Sequence, residues 1–311
     1  MMPGFDRLDS LAVTVVAEDS VLYESPYWGQ HGLCLYLEAV RGGSRMNVLV
    51  DVAQDADAVA HNMALLGIEP ASIDAIVLTH CHYDHTCGVT GMLRAIGKRD
   101  LPVVAHTGLF RPNFVVEPAI RHVGMGDADS RSAMEGAGAR LVLSSDPVML
   151  MPGLATTGYV PRLTDFEAAG TELRTLDEVG REVVDPMDDD ISVVAAVGNE
   201  GLVIATGCSH AGIVNIVVRA KELTAVDRVA GIVGGLHLVE ATMERIRKTV
   251  DALSGLEPAM VCAGHCTGFD AQVELRAVFG SRFQPLRTGQ RLLFGEGAPG
   301  REASRMKPVS S

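Results

Sequence analysis

The chain has 311 residues, of which 47% are hydrophobic and 21% charged, a composition typical of globular proteins that excludes a wholly disordered chain. Its 26 basic and 39 acidic residues give a formal net charge of −13, which disfavours nucleic acid and anionic membrane surfaces as partners. No apolar run reaches the roughly 18 residues of a membrane-spanning helix, and the N-terminus lacks the features of a signal peptide, so we predict a cytoplasmic protein.

The first part of the chain predicts strands followed by a helix. Apolar and β-branched residues predict three strands, over residues 11–17, 32–40 and 45–52. The spacing of apolar residues over 55–67 is that of a helix, on which His61 is expected to lie at the surface. His31 stands just before the second strand, in a loop that also carries the single tryptophan.

Four side chains of metal-binding types fall within six residues after the apolar run 75–78: His80, His82, Asp84 and His85. Imidazole nitrogens and carboxylate oxygens are ligands that a divalent ion such as Zn²⁺ prefers. Because alternate side chains of an extended loop point the same way, His80 and His82 can bind one ion. Asp84 and His85 can reach a second ion, as in two-metal sites that attack phosphoryl or acyl centres. The alternative, a polar turn whose histidines cluster by chance, is disfavoured by their density.

After this motif the pattern predicts a helix over 89–96 and a buried strand over 102–105. The strand ends at His106, and enzymes often mount their chemistry where strands end. His106 is equally well explained as a metal ligand, a substrate contact or a hydrogen-bonded structural histidine.

Residues 107–185 have weak periodicity and many glycines and prolines, apart from a strand predicted over 140–143. We predict a long, irregular, lid-like insertion there, within a single domain of residues 1–294. In it, Arg162 follows a glycine-containing turn and is a candidate for binding an anionic group, the alternative being a solvated loop arginine.

The second half predicts a β-hairpin and further strand–helix pairs: strands over 191–197, 202–205, 228–233 and 260–262, and helices to about 223 and over 240–253. His210, His237 and His265 follow the ends of these strands, each with a glycine within three residues. Glycine lets backbone and ligands crowd one pocket, so we predict that at least two of the three line the site. The six cysteines are expected to be reduced, with one a possible ligand, and residues 295–311 to form a flexible tail.

In this order and at this spacing, the motifs resemble the metallo-β-lactamase superfamily, in particular the branch of 7,8-dihydropterin-6-methyl-4-(β-D-ribofuranosyl)-aminobenzene-5′-phosphate synthase. The stretches that carry the resemblance are 31–33, 79–88, 157–158, 161–167, 188–189, 207–216, 234–238 and 264–268. The resemblance implies an αββα sandwich, in which two mixed sheets face one another, helices lie outside, and the metal site is at one edge.

The resemblance also implies a ligand set. His80 and His82 would bind the first metal, while Asp84, His85 and His265 would bind the second. Cys208 stands where many members carry a bridging carboxylate and is the candidate thiolate bridge. A third histidine of other members is replaced by acidic residues 188–190, so His106 or His210 would complete the first coordination shell. The sequence departs from the family pattern at two places in the region expected to bind substrate. The first strand lacks the asparagine expected at its start, and Tyr159 stands where an acidic residue is more usual.

These features predict a metal-dependent enzyme acting on a phosphorylated or pyrophosphorylated small molecule such as a pterin. Two divalent ions are expected, zinc before manganese, iron or magnesium, with Asp84 or His210 moving the proton. The residues expected to contact the anionic substrate are His31, His106, Arg162 and His237. The alternatives are a general hydrolase of lactones, thioesters or phosphodiesters and a non-catalytic metal- or ligand-binding sensor. A homo-oligomer is possible, and neither nucleic acid nor a membrane is expected as partner.

Overall fold

Strands dominate the structure, a computed structural model that describes residue 2 and residues 5–167 and 172–295. Its strands are β1 (Ser10–Ala17), β2 (Cys34–Arg41), β3 (Ser44–Val50), β4 (Ala75–Val77), β5 (Leu101–Ala105), β6 (Phe114–Val115), β7 (Arg121–His122), β8 (Ala139–Leu143), β9 (Met149–Met151), β10 (Leu154–Thr156), β11 (Leu173–Leu176), β12 (Glu182–Val184), β13 (Ser192–Val197), β14 (Gly201–Thr206), β15 (Val229–Gly235), β16 (Val261–Gly264), β17 (Phe283–Pro285) and β18 (Arg291–Gly295). Its α-helices are α1 (Ala56–Leu66), α2 (Tyr83–Thr86), α3 (Val89–Ile96), α4 (Arg131–Gly136), α5 (Ile213–Thr224), α6 (Met243–Gly255) and α7 (Phe269–Phe279).

Two mixed sheets of seven strands each face one another. The first has the order β18-β1-β2-β3-β4-β5-β8, and the second has the order β17-β16-β15-β14-β13-β10-β9. In each sheet one half is antiparallel and the other is largely parallel, with β3, β4, β5 and β8 parallel in the first and β14 to β17 parallel in the second. A separate four-stranded sheet, in the order β12-β11-β6-β7, takes two strands from the segment between β5 and β8 and two from the segment between β10 and β13.

Alternation along the strands builds three apolar layers. In β13, Val193 and Ala195 point into a core shared by the two sheets, whereas Val194 and Ala196 point outward to a core lined by α5, α6 and α7. The outer face of the first sheet packs in the same way against α1 and α3. Strands buried on both faces have near-continuous apolar sequences, which is why runs of apolar and β-branched residues were enough to predict most of them. The predicted αββα sandwich is therefore confirmed.

The strand predicted over 140–143 within the insertion is β8, and it extends the first sheet beside β5. The rest of residues 107–185 is less irregular than predicted, because β9 and β10 extend the second sheet beside β13. These two strands are three residues long, so they are too short to show a period of two. A lid role for the small sheet stays a prediction, as does the single domain.

The predicted flexible tail begins at Gly295, which is the last residue of β18, and residues 296–311 lie outside the described part of the chain. Strand β18 pairs with β1 and completes the first sheet, a pairing that the sequence did not predict. Among the helices of the described ranges, none has the length and apolar character needed to cross a membrane.

Candidate metal centre

Ligand atoms from the loops after β4, β14 and β16 converge in two sets, each of which joins residues of the motif after β4 to the same thiol. In the first, here the Asp84 set, one atom from each member lies within 4.8 Å of the others: Asp84, His85, Cys208 and His265. In the second, here the His80 set, the same holds for His80, Cys208 and His210. Cys208 Sγ lies 3.1 Å from His85 Nε2, so the shared thiol faces the junction of the two sets.

Imidazole rings pack against one another around this junction. The ring centroid of His80 lies 4.3 Å from that of His85 and 4.8 Å from that of His210. The ring of His82 lies 4.7 Å from the rings of both His80 and His210. The rings of His80, His82 and His210 are thus neighbours. Of the two residues expected to substitute for the missing third histidine, His210 is the one that lies beside them.

The residues present fit a divalent cation, because imidazole nitrogens, a carboxylate oxygen and a thiol are brought close together in a buried space. His85 Nε2 and His265 Nε2 are 3.2 Å apart, and Asp84 Oδ2 lies 3.2 Å from His265 Nε2. The Nε2 atoms of His80 and His210 are buried with no hydrogen-bond partner. Burial lowers the pKa of both His80 and His210, which keeps these rings in the neutral form that binds metals.

Carboxylates and a hydroxyl behind the histidines determine which ring nitrogen faces the centre. Asp51, fully buried, accepts hydrogen bonds from His85 Nδ1 and from the backbone N–H and hydroxyl of Thr79, each at 2.7 Å. Because the Thr79 hydroxyl donates to Asp51, it can only accept from His80 Nδ1, 3.0 Å away. On the other side, Asp19 accepts from His265 Nδ1 at 2.6 Å. The Nε2 atoms of all three histidines are therefore free to bind a metal.

Gly207, directly before Cys208, allows this crowding. A Cβ at this position would lie 2.1 Å from the Thr79 hydroxyl and 2.7 Å from Asp51 Oδ2. Any larger residue would push the carboxylate away from the histidines it orients. The expectation that glycines around the histidine motifs allow close packing thus has a specific contact here.

His237 also lies in the cluster, although it belongs to neither set. Its ring centroid is 3.9 Å from that of His210, and its Nδ1 is buried without a partner. Ligand atoms of Cys208, His237 and Cys266 lie within 4.8 Å of one another, so a second thiol stands beside the shared one. The three glycine-flanked histidines His210, His237 and His265 are all brought together.

Three other predicted site residues lie at the margin or are engaged elsewhere. His31 is at the rim, its side chain 51% exposed, with Nδ1 2.8 Å from Asp19 and Nε2 3.5 Å from Asp84. His106 Nδ1 accepts the N–H of Gly108, and among the described residues His106 joins none of the converging sets. Arg162 is paired with Asp188 at 3.1 Å.

His61, expected at the surface, is instead partly buried and stacks on Trp28 with ring centroids 3.8 Å apart. The helix that carries it packs beside the loop before β2, which the local sequence pattern did not indicate.

Sequence reasoning missed the residues behind the ligands: Asp19, Asp51 and Asn113. Asp51 directly follows β3 and Asp19 follows β1 by two residues, so both stand at strand ends, the position that drew attention to the histidines. The same argument applied to carboxylates would have found them. Asn113 had no comparable signal.

Comparisons with known proteins show the family to which the chain belongs. Residues 34–214 match the family described as the metallo-beta-lactamase superfamily. The chain is 37% identical over 296 residues to the 7,8-dihydropterin-6-methyl-4-(beta-D-ribofuranosyl)-aminobenzene-5′-phosphate synthase of Methanocaldococcus jannaschii, covering 94% of this chain and 100% of that protein.

Solved structures show the same fold. A metal-dependent hydrolase of the beta-lactamase superfamily matches with a TM-score of 0.75 at 22% identity, covering 91% of this chain and 98% of that one. The metallo-beta-lactamase fold protein YhfI of Bacillus subtilis matches with a TM-score of 0.53 at 13% identity, covering 92% and 99%. The fold implies that a divalent metal is bound, and the converging sets are candidates for its ligands. The chain therefore belongs to the metallo-beta-lactamase superfamily and is one of its metal-dependent enzymes.

Proposed function

We propose that the chain is a synthase with two divalent cations in its centre, acting on an anionic, phosphorylated or pyrophosphorylated small molecule such as a dihydropterin. The name of the M. jannaschii relative supports the reaction class, and this chain spans the whole of that relative. A homo-oligomer and a cytoplasmic location stay predictions.

One observation carries the two-cation proposal: Cys208 belongs to both the Asp84 set and the His80 set. One cation would be held by His80, His82 and His210, the other by Asp84, His85 and His265, with the thiolate of Cys208 between them. Imidazole and thiolate ligands favour zinc over magnesium, so zinc is the proposed metal.

The cations, when bound, would supply positive charge that stabilises the anionic oxygens of a departing phosphate or pyrophosphate. In a synthase reaction, the amine of an aminobenzene attacks the methylene carbon of the dihydropterin, the carbon–oxygen bond to the leaving group breaks, and the amine loses a proton. This chain's own residues must bind the second substrate, keep it beside the first and accept that proton.

His31 is better placed to accept the proton than Asp84 or His210, which the sequence suggested. Asp84 and His210 are 7% and 4% exposed and would be engaged by the proposed cations, whereas the His31 side chain is half exposed at the rim. Asp19 holds His31 Nδ1 at 2.8 Å, so the proton of the neutral ring sits on Nδ1 and the lone pair is on Nε2, which lies 3.5 Å from Asp84. His237, with a buried unpartnered Nδ1, is the proposed contact for a substrate oxygen or N–H.

The test is incubation of the zinc-loaded protein with a dihydropterin carrying a 6-methyl pyrophosphate, with and without a ribofuranosyl aminobenzene phosphate. The proposal predicts coupled product and pyrophosphate release that both require the amine. Pyrophosphate release at the same rate without the amine would instead identify a hydrolase, and binding without turnover of either compound would favour the sensor. The matched control is the Asp84→Asn variant, which should lose turnover.

A further inference from the structure

Asn113 lies directly behind His82 and is fully buried. Its side-chain Oδ1 is 3.1 Å from His82 Nε2, and its Nδ2 is 2.6 Å from Asp185 Oδ2. The backbone of Asn113 is also held, since its carbonyl accepts the N–H groups of Val123 and Gly124 at 2.9 and 3.1 Å. The amide is thus fixed between one histidine and one carboxylate.

The direction of each hydrogen bond follows from the charge on Asp185. Arg111 donates to both oxygens of this buried carboxyl group, Nε at 2.7 Å and a terminal nitrogen at 3.1 Å. A guanidinium is always charged, so Asp185 is ionised and can only accept. Asn113 must therefore turn its NH₂ group to Asp185 and its oxygen to His82.

An amide oxygen can only accept, so His82 Nε2 must carry the proton that it donates. A neutral imidazole protonated at Nε2 has its lone pair on Nδ1. His82 would thus bind a metal through Nδ1, unlike His80, His85 and His265, whose Nδ1 atoms are engaged and whose Nε2 atoms face the centre.

We propose that Arg111, Asp185 and Asn113 form a relay of positioning residues that fixes the tautomer and ring orientation of His82, so that Nδ1 is its metal-binding atom. None of the three is proposed to contact a metal-binding atom or the substrate, and none takes part in the reaction directly. The inference rests on the proposed role of His82 as a ligand.

The same arginine also fixes the backbone between the two histidines of the motif. Its other terminal nitrogen lies 2.6 Å from Asp189 Oδ2, and this oxygen accepts the N–H of Cys81 at 2.8 Å. Arg111 therefore bridges two buried carboxylates, one that acts through Asn113 on the His82 ring and one that holds the peptide before it. Asp189, one of the acidic residues that stand in place of the expected third histidine, has this structural use.

The test is the tautomer of His82 in metal-free protein labelled with ¹⁵N-histidine, read from long-range ¹H–¹⁵N correlations and assigned with a His82→Gln variant. The relay predicts a protonated Nε2 and an unprotonated Nδ1 in the parent. In Asp185→Asn the amide at 113 is free to turn round and present its NH₂ group to His82, so the proton should move to Nδ1. Asn113→Ala should remove the preference, and zinc affinity should fall about 10- to 100-fold in both variants.

The matched control is Thr175→Val. The Thr175 hydroxyl donates to the carbonyl of Pro112 at 2.7 Å, so its loss loosens the same segment without touching the relay. This variant should keep the parental tautomer and zinc affinity. If Asp185→Asn does not fold, the parental tautomer and Asn113→Ala decide the matter.

A parental His82 protonated at Nδ1, or parental zinc affinity in Asn113→Ala, would overturn the inference. Since these readouts need no substrate, the predicted tautomer in a protein without synthase activity would count against the proposed function alone. Failure of zinc to shift any His82 resonance would count against its role as a ligand.

Discussion

His85 Nε2 and His265 Nε2 lie 3.2 Å apart, although 180 residues of chain separate them. Both rings turn these atoms inward because their Nδ1 atoms are bonded to Asp51 and Asp19. In their neutral forms, rings held this way direct two lone pairs at one point, an arrangement that suits a bound cation. The fold itself thus brings ligand atoms from distant parts of the chain together.

Replacing Cys208 with serine should remove the bridge between the two cations. With cobalt in place of zinc, the parent should show thiolate-to-metal charge-transfer absorption, and the variant should lose it. Metal content should fall from about two equivalents towards one. The control is Cys87→Ser, since Cys87 lies two residues from His85 but, among the described residues, in none of the converging sets. An unchanged charge-transfer band in Cys208→Ser would argue against a Cys208 ligand.

Replacing Asp51 with alanine should weaken metal binding and stability together. The variant leaves the buried N–H of Thr79 unpaired, which costs about 1–3 kcal/mol of unfolding free energy. It also frees the rings of His85 and, through Thr79, His80, so zinc affinity should fall about 10- to 100-fold. Urea unfolding and zinc titration measure the two effects.

Asp129→Ala is the control for that experiment. Asp129 is buried and accepts the backbone N–H of Thr90 at 2.9 Å, so its loss should lower stability by a similar mechanism. Zinc affinity should remain parental. If both variants lost zinc equally, the effect of Asp51 would be general destabilisation and not ligand orientation.

Replacing His31 with glutamine should slow turnover and leave the metal in place. A positioned proton acceptor contributes about 10²- to 10⁴-fold to a rate, and His31 is a member of neither the Asp84 set nor the His80 set. Steady-state kinetics and elemental analysis of the same preparation separate the two effects. His61→Gln, which alters a histidine stacked on Trp28, should change neither. Loss of zinc from His31→Gln would make His31 a ligand instead.

The stability of the fold should depend on the ionisation of Glu167, whose side chain accepts hydrogen bonds from the first turn of α5. Burial raises the pKa of Glu167 above its ordinary value of 4.5, although hydrogen bonds from Val214, Asn215 and Thr164 lower it. Because the folded pKa is raised, the stabilising contribution is complete below pH 4.5 and is lost as the pH rises through the folded pKa.

Glu167→Gln cannot ionise and should lack this dependence. The unfolding free energy of the variant minus that of the parent should therefore increase with pH in the window just above 4.5. Urea unfolding across that window measures it. A difference that decreases with pH would mean that the hydrogen bonds from the start of α5 outweigh the burial of the carboxylate.

The parts of the site that could be predicted from the sequence are those that are local in the chain. His80, His82, Asp84 and His85 are neighbours after a buried strand, so their pattern is readable without a fold. Likewise His210, His237 and His265 stand just after apolar strands, and parallel strands deliver such residues to one edge.

The supporting residues could not be found this way because their contacts are distant in sequence. Asp19 bonds a histidine 246 positions away, and Asn113 reaches His82 only because β6 and β11 place it there. Short strands such as β9 and β10 escaped for a related reason, since three residues carry no periodicity and gain their place from pairing with β13. Tertiary context decided these positions, not local propensity.

The central claim, that two cations share the Cys208 thiolate, is tested most directly by crystals of the zinc-loaded protein with diffraction measured at the zinc edge. The account predicts two anomalous peaks about 3.5–4 Å apart, with Cys208 Sγ between them, His80, His82 and His210 on one peak, and Asp84, His85 and His265 on the other. A single peak, or two peaks with Cys208 Sγ bound to neither, would contradict it.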